Sequence, residues 1–305
     1  MSTPLIECVP NFSEGRREKV IEAIVAPFKE TEGCYLFDYR ADSDHNRLVV
    51  SVVGALEPIQ QALLEATLTA KASIDMNRHR GGHPRIGAVD VIPFTPLQNI
   101  TMEACVDLAH DFGQRFFDRT DIPVYFYEEA AKTPARKRLE VIRKGQYEGL
   151  KEVADQPERQ PDIGPPALHP SAGATVIGAR KFLVAYNIHL ATSDVTIAKQ
   201  VAKAVRASSG GMCHVKGIGL SLEDRGMVQV SLNVVDYEKN PLYRVQEMVR
   251  MEARRWGVEV AEAEVYGMIP AAALLDSAAY YLQLAGFKFD QTIELKLLQM
   301  MGDKK

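Results

Sequence analysis

The chain has 305 residues, 46% hydrophobic and 25% charged, with a formal net charge of −4 and a pI near 6.0. At roughly 150 residues per domain this predicts about two domains, with cores large enough to need no metal or disulfide staple. The acidic balance speaks against a nucleic-acid or anionic-membrane binder, and no apolar run approaches the ~20 residues that span a bilayer.

Residues 4–9 (PLIECV) read as a strand. Ser13 then stands as a cap before a helix in which Val20, Ile21, Ile24 and Val25 recur at helical spacing. CYLFDY and RLVVSVV are of strand type, a helix spans about 58–74, and IGAVDVIPF is another strand. A helix near 102–117, the strand IPVYFY and a basic helix PARKRLEVIRKG follow. From about 151 to 170 five prolines and few large apolar groups predict a linker or long surface loop.

The second half repeats the order. GARKFLVAYNIHL is a strand, and a helix capped by Ser193 comes next. In MVQVSLNVV, Val228, Val230, Leu232 and Val234 alternate with Gln229, Ser231 and Asn233, so one face is buried and the other polar. Asn240 and Pro241 open a helix striped by Leu242, Val245, Val249, Ala253 and Trp256, ended by Gly257. VEVAEAEVYG is the last strand, before helices near 270–284 and 290–301. Both halves read as split β-α-β, an α+β fold of two ferredoxin-like units over 1–165 and 172–305, with a ligand cleft expected between them. The scattered cysteines form no C-x-x-C pair, and the start MSTPLIECVPNFSEG lacks a signal peptide's apolar run. Both predict the cytoplasm.

The densest chemistry lies at Arg78-His79-Arg80-Gly81-Gly82-His83-Pro84-Arg85. Arg78 and Arg80 suit a helix end, where cations complement the dipole. His83 sits in a glycine-rich turn before an apolar strand, and imidazole suits acid–base work. The spacing of His79 and His83 invites zinc, but H-E-x-x-H needs a glutamate where Arg80 stands. A second polar cluster, Asp42-Ser43-Asp44-His45-Asn46-Arg47, joins two strands and reads equally as a solvated turn. No P-loop or dinucleotide fingerprint is present, nor the K/R-G-F/Y strand of RNA-binding ferredoxin-like units.

Taken in order, ECVPNFSEG, DHNR, HRGGHPRIGAVDVIPFTP, GATVIGARKFLVAYNI, VKGIGLSLEDRGMVQVSLNVVDY and VYGMIPAAALLDSAAYYL resemble the formiminotransferase family nearly end to end. The resemblance stops where a cyclodeaminase domain would begin, so it implies the transferase alone. It implies two ferredoxin-like subdomains with tetrahydrofolate between them, a homodimer, and transfer of a formimino group from N-formiminoglutamate to folate N5. The family's catalytic histidine falls on His83. Its folate loop falls on Gly164, Pro165, Pro166, Ala167, Leu168, His169, Pro170, Ser171, Ala172 and Gly173. Vertebrate members carry an acid where this chain has Gly82 and a tryptophan where it has Ala172.

In such a transfer one histidine can take the proton from N5 and return one to the departing amine. Arg85 and Arg47 are candidate anchors for the donor carboxylates. Asp44, or Asp42, is a candidate to hold the amidinium or orient His83. His45, Asn46, Gln229 and Asn233 complete the expected substrate contacts. Small-molecule partners, with no metal, nucleic acid or membrane, are expected. N-formylglutamate is the rival donor.

Overall fold

A computed structural model describes residues 3–302, which form α+β structure in two compact units, the chain dividing between Arg180 and Lys181. In the first unit, β1 (Leu5–Cys8) and β2 (Asn11–Phe12) are two pieces of one extended segment interrupted at Pro10. Then come α1 (Glu18–Glu30), β3 (Cys34–Asp42), β4 (Arg47–Gly54), α2 (Leu56–Ser73) and β5 (Val89–Gln98). The strands order as β3, β4, β1/β2, β5, all antiparallel, which is a split β-α-β arrangement. Beyond β5 the sheet is extended in parallel. After α3 (Met102–Thr120), β6 (Val124–Glu128) takes the edge, and β7 (Thr175–Ala179) inserts between it and β5.

Period-two alternation explains how this extension is covered. Ile92, Phe94, Phe126 and Ile177 join the core with Ile24 and Phe28 of α1, Leu63 of α2, and Phe112 and Phe116 of α3. Their neighbours Val91, Tyr125, Tyr127 and Val176 face the opposite way, against Ile142 of α4 (Leu139–Ile142) and Leu150 of α5 (Gln146–Val153). The β5–β7–β6 side of the sheet is therefore buried on both faces.

The second unit runs β8 (Val184–Leu190), α6 (Val195–Val205), β9 (Val215–Leu222), β10 (Met227–Val234), α7 (Leu242–Arg254) and β11 (Val260–Tyr266). The antiparallel order is β11, β8, β10, β9. Val228, Val230, Leu232 and Val234 pack with Val201 and Val205 of α6 and Val245 and Val249 of α7. The opposite face carries rows of aligned polar residues, Glu262–His189–Gln229 and Glu264–Asn187–Ser231. Two helices, α8 (Ala271–Tyr281) and α9 (Ile293–Gly302), close the chain, with Tyr280 stacked on Tyr243 at 4.1 Å. Among the described residues no helix is long and apolar enough to cross a membrane.

Several local expectations are corrected. Ser13 does not cap α1, which begins after Arg17. Ser13 is buried and donates to Gly87 O at 2.7 Å, while the Glu14 carboxylate accepts the Arg16 and Arg17 N–H groups at 2.9 Å. Asp194 rather than Ser193 caps α6, accepting from Thr196 N at 2.8 Å. Asn240 turns its amide to Cys213 O, leaving Pro241 to precede α7. Trp256 lies beyond that helix and is half-exposed. The basic segment is not one helix: an extended Arg138 (φ −97°, ψ 111°) separates a 3₁₀ turn, Pro134–Lys137, from α4.

The proline-rich stretch is not a free linker either. It begins inside α5, and Ile163 bridges Val124. Asp162 pairs with Arg136 at 2.7 Å and accepts Phe126 N at 2.8 Å, with both charged side chains largely buried. Residues 172–180, placed with the second unit by the sequence, belong to the first sheet and its approach. Asp162→Ala takes from the largely buried Arg136 its carboxylate, leaving only the Glu158 and Gln160 carbonyls, and is expected to cost about 3–5 kcal/mol. Urea unfolding checks this; a loss below about 1 kcal/mol would show the segment to be loosely attached.

Candidate active site

Three backbone segments converge at one end of the first sheet: the turn Ser13–Arg17, the loop from Asp42 to Arg47, and the stretch His79–Ala88. Asn46, at a φ of +49° that Asn tolerates better than most residues, ties them together. Its side chain accepts Gly15 N at 2.9 Å and donates to Arg80 O at 3.0 Å. A Cβ on Gly81 would lie 2.2 Å from His45 O, so only glycine permits this approach of the two loops. Gly82 N donates to Asp44 O at 3.2 Å.

His79 Nε2 bonds Asn46 O at 3.0 Å, and Nδ1 accepts Arg85 Nε at 3.1 Å. With both nitrogens in use, His79 supports the site rather than offering a metal ligand. Among the described residues no group of three or more His, Cys, Asp or Glu has the arrangement of a metal site. Arg85 is buried and forked onto Glu148 at 2.7 and 2.8 Å, with a further bond to Gln146 at 2.9 Å. It is therefore held as a buried support, not displayed for a ligand carboxylate.

His83, Arg47, His45, Asn46, Arg85 and Asp90 line one narrow gap, too tight in this structure to hold a water molecule. Arg47 NH1 lies 3.3 Å from His83 Nε2 and 3.5 Å from Nδ1. Burial, then the Arg47 and Arg143 charges and His45, push the His83 imidazole down to about 2, with Asp42 opposing. Arg143 reaches this position through an ion pair with Asp90, whose other oxygen accepts Ile86 N at 2.8 Å. Asp42, not Asp44, is the carboxylate bonded to an imidazole here, and the ring is that of His45, at 2.7 Å.

The stretch 164–173 docks beside this site. His169 and Gly173 exchange backbone hydrogen bonds at 2.9 and 3.1 Å, and Met76 N, Ala88 N and the Asn77 amide donate to Ser171, Ala172 and Pro170 carbonyls. Pro165, Pro166 and Ala167 remain exposed, whereas Ala172 is wholly buried in the core. A buried alanine at this position provides no stacking face. Gln229 and Asn233 lie in the second unit, on the polar face of β10. Gln229 is buried and bonded to His189 at 3.0 Å, while Asn233 is exposed.

The sequence reading missed Asp90, Arg143 and the His189–Glu262 pair (2.8 Å). The Arg143–Asp90 pair joins positions 53 residues apart, beyond any local pattern. The polar His189 within an apolar strand was the available signal for the other.

The family model for the N-terminal subdomain of the formiminotransferase domain matches residues 5–180, and that for the formiminotransferase domain matches 185–302. The chain is 44% identical to glutamate formimidoyltransferase of Streptococcus pyogenes serotype M1, covering 95% of this chain and 97% of that one. A protein of the same name from Thermoplasma acidophilum is 45% identical over 96% of this chain and 97% of its own. Formimidoyltransferase-cyclodeaminase of Gallus gallus is 44% identical over 92% of this chain, which spans 52% of that longer protein.

Burial first, and then the cations beside it, hold this ring well below the ordinary imidazole range. An NMR titration between about pH 5 and 8 is expected to show no protonation of His83, and Arg47→Met to move its titration upward. Because the unfolded chain takes up that proton near pH ~6.5 and the folded one resists it, His83 withdraws stability as pH falls below that value. A His83 titration near pH ~6.5 would contradict this.

Proposed function

From the premise that the chain belongs to the formiminotransferase family, we propose that it is a glutamate formimidoyltransferase, moving the formimino group of N-formimino-L-glutamate to N5 of tetrahydrofolate. The observation that carries this reading is identity of 44% and 45% over nearly the whole chain to two proteins of that name. The nucleophile is the folate's own nitrogen, so the chemistry needs no enzyme nucleophile or metal. The protein positions two reactants and manages protons.

His83 is assigned the base that relieves N5 of its proton. Its support is position: a cleft-lining ring on a turn locked by Gly81, Asn46 and the buried Arg85. Arg47, beside it, is assigned the donor's carboxylate. A carboxylate arriving there offsets part of the Arg47 charge acting on His83, while the burial of the ring, the larger cause of its weak basicity, remains. Arg85, with its guanidinium committed to Glu148, serves this reading by holding the turn. The stretch 164–173 is assigned to folate, supported by its exposed Pro165–Ala167 edge and its docking on the His79–Ala88 segment. Asn233 remains a candidate substrate contact.

The finer architecture, ferredoxin-like subdomains sharing a folate cleft, rests on the resemblance and on the split β-α-β order of both units. A cytoplasmic homodimer acting on small molecules belongs to the same reading.

The test mixes purified protein and tetrahydrofolate with N-formiminoglutamate or N-formylglutamate and follows product by absorbance and mass. Turnover with the formimino donor is expected, falling by about 10²–10⁴-fold in His83→Ala with folate affinity retained. Turnover with the formyl donor alone would change the donor, and wild-type turnover in His83→Ala would remove the base assignment.

A further inference from the structure

Resting on that transfer reading, we propose that His45, held by Asp42, is a second proton-transfer residue: it protonates the departing glutamate nitrogen, while His83 receives the proton of N5. The Asp42–His45 pair is built for proton exchange at the cleft. His45 Nδ1 lies 2.7 Å from Asp42 Oδ2, and Asp42 Oδ1 accepts the backbone N–H groups of His45 at 2.8 Å and Asp44 at 3.0 Å. With Nδ1–H given to the carboxylate, Nε2 is the nitrogen left to exchange a proton, the orienting logic of a carboxylate–histidine pair. The His45 side chain is 52% exposed, so a ligand can reach it.

Its distance from His83 suits the task. The ring centroids are 6.4 Å apart at an interplanar angle of 72°, and both rings line the same cleft. The glycine approach at Gly81 sets that separation through the backbone rather than through mobile side chains.

The surroundings then divide the roles. His83 faces the Arg47 and Arg143 guanidinium groups, so it accepts a proton only from a strongly acidic partner. The ammonium formed at N5 on attack is such a partner; the basic amine of departing glutamate needs a proton delivered from elsewhere. His45 faces a carboxylate that balances an imidazolium. Partial burial raises Asp42, but hydrogen bonds from the His45 backbone and ring outweigh it and hold this carboxyl below its usual range. The charged and titratable groups about His45 are Asp42 and Asp44 of its own loop, Arg47 at the start of β4, the His83 ring, and Arg16, which donates to Ser43 O at 2.7 Å.

The step balances as follows. The N5 lone pair forms the C–N5 bond as the C=N π pair moves onto the imino nitrogen of the amidinium donor. Cationic N5 loses its proton to His83. The glutamate nitrogen takes the Nε2 proton of His45 and departs with the C–N bonding pair, and the remaining amino lone pair re-forms C=N on the folate. One proton leaves N5 and one reaches glutamate, and His83 and His45 reset by exchanging one proton through solvent.

The test compares His45→Gln, His45→Ala and Asp42→Asn in the transfer assay across pH. Asp42→Asn keeps a side-chain oxygen for the two backbone N–H groups and removes only the charge, so its loop stays folded. His45→Gln is expected to lose about 10²-fold or more in kcat with KM little changed. Asp42→Asn should lose kcat in the same sense, and added imidazole should restore part of the activity of His45→Ala. A His45→Gln protein with wild-type kcat overturns the inference alone. So does lost activity in His45→Ala that imidazole does not restore and that is accompanied by lost folate binding. Wild-type protein inert towards both formimino and formyl donors overturns the transfer reading and this inference with it.

Discussion

The site depends on one chain of hydrogen bonds, buried between Arg85 and His79 and partly buried elsewhere, running from Glu148 through Arg85, His79 and Asn46 to Gly15. It links α5, the turn bearing His83, the β3–β4 loop and the approach to α1. Each link satisfies a polar group that would otherwise be buried alone, and breaking one exposes the next to the full desolvation cost. The guanidinium of Arg85 is the critical member. Its charge is removed from water, and the bidentate Glu148 carboxylate, held below its ordinary range chiefly by that bond, makes the burial tolerable.

Around that frame the charges are uneven. His83 lies among guanidinium groups, and His45, one ring-width away, lies against a carboxylate. Close backbone packing, not long side chains, maintains the difference. The loops meet where glycine allows contact, and a Cβ on Gly173 would lie 2.2 Å from Ile86 O where the 164–173 stretch docks. Gly82, by contrast, has ordinary space around a built Cβ, at 3.7 Å from Asp44 O, so its lack of an acid is not imposed by crowding.

The two units share an element order yet treat their sheets differently. Parallel strands β7 and β6 extend the first sheet and bury that side on both faces, so the proline-rich stretch has a surface to dock on. The second sheet keeps one polar face, where Gln229 is buried because His189 and Glu262 assemble around it. The same period-two pattern that marked β10 could not distinguish a residue open to ligand from one bonded to a neighbouring strand.

By itself the sequence determined most of the elements, since helical and strand periodicities are local properties of the chain, but it ran β7 and β8 together as one strand and missed α5. It also determined the histidine turn, because Gly-Gly and His-Pro restrict the backbone within a few residues. It misjudged Ser13, Ser193 and Asn240, whose cap signals are real but compete with better partners elsewhere. Only the tertiary structure decided which polar groups pair. Arg85 meets Glu148 across 63 residues, Arg143 meets Asp90 across 53, and His79 meets Asn46 across 33. Desolvation forces every buried charge to find a partner, and which partner is near is settled by how the strands order, not by any neighbour in the chain.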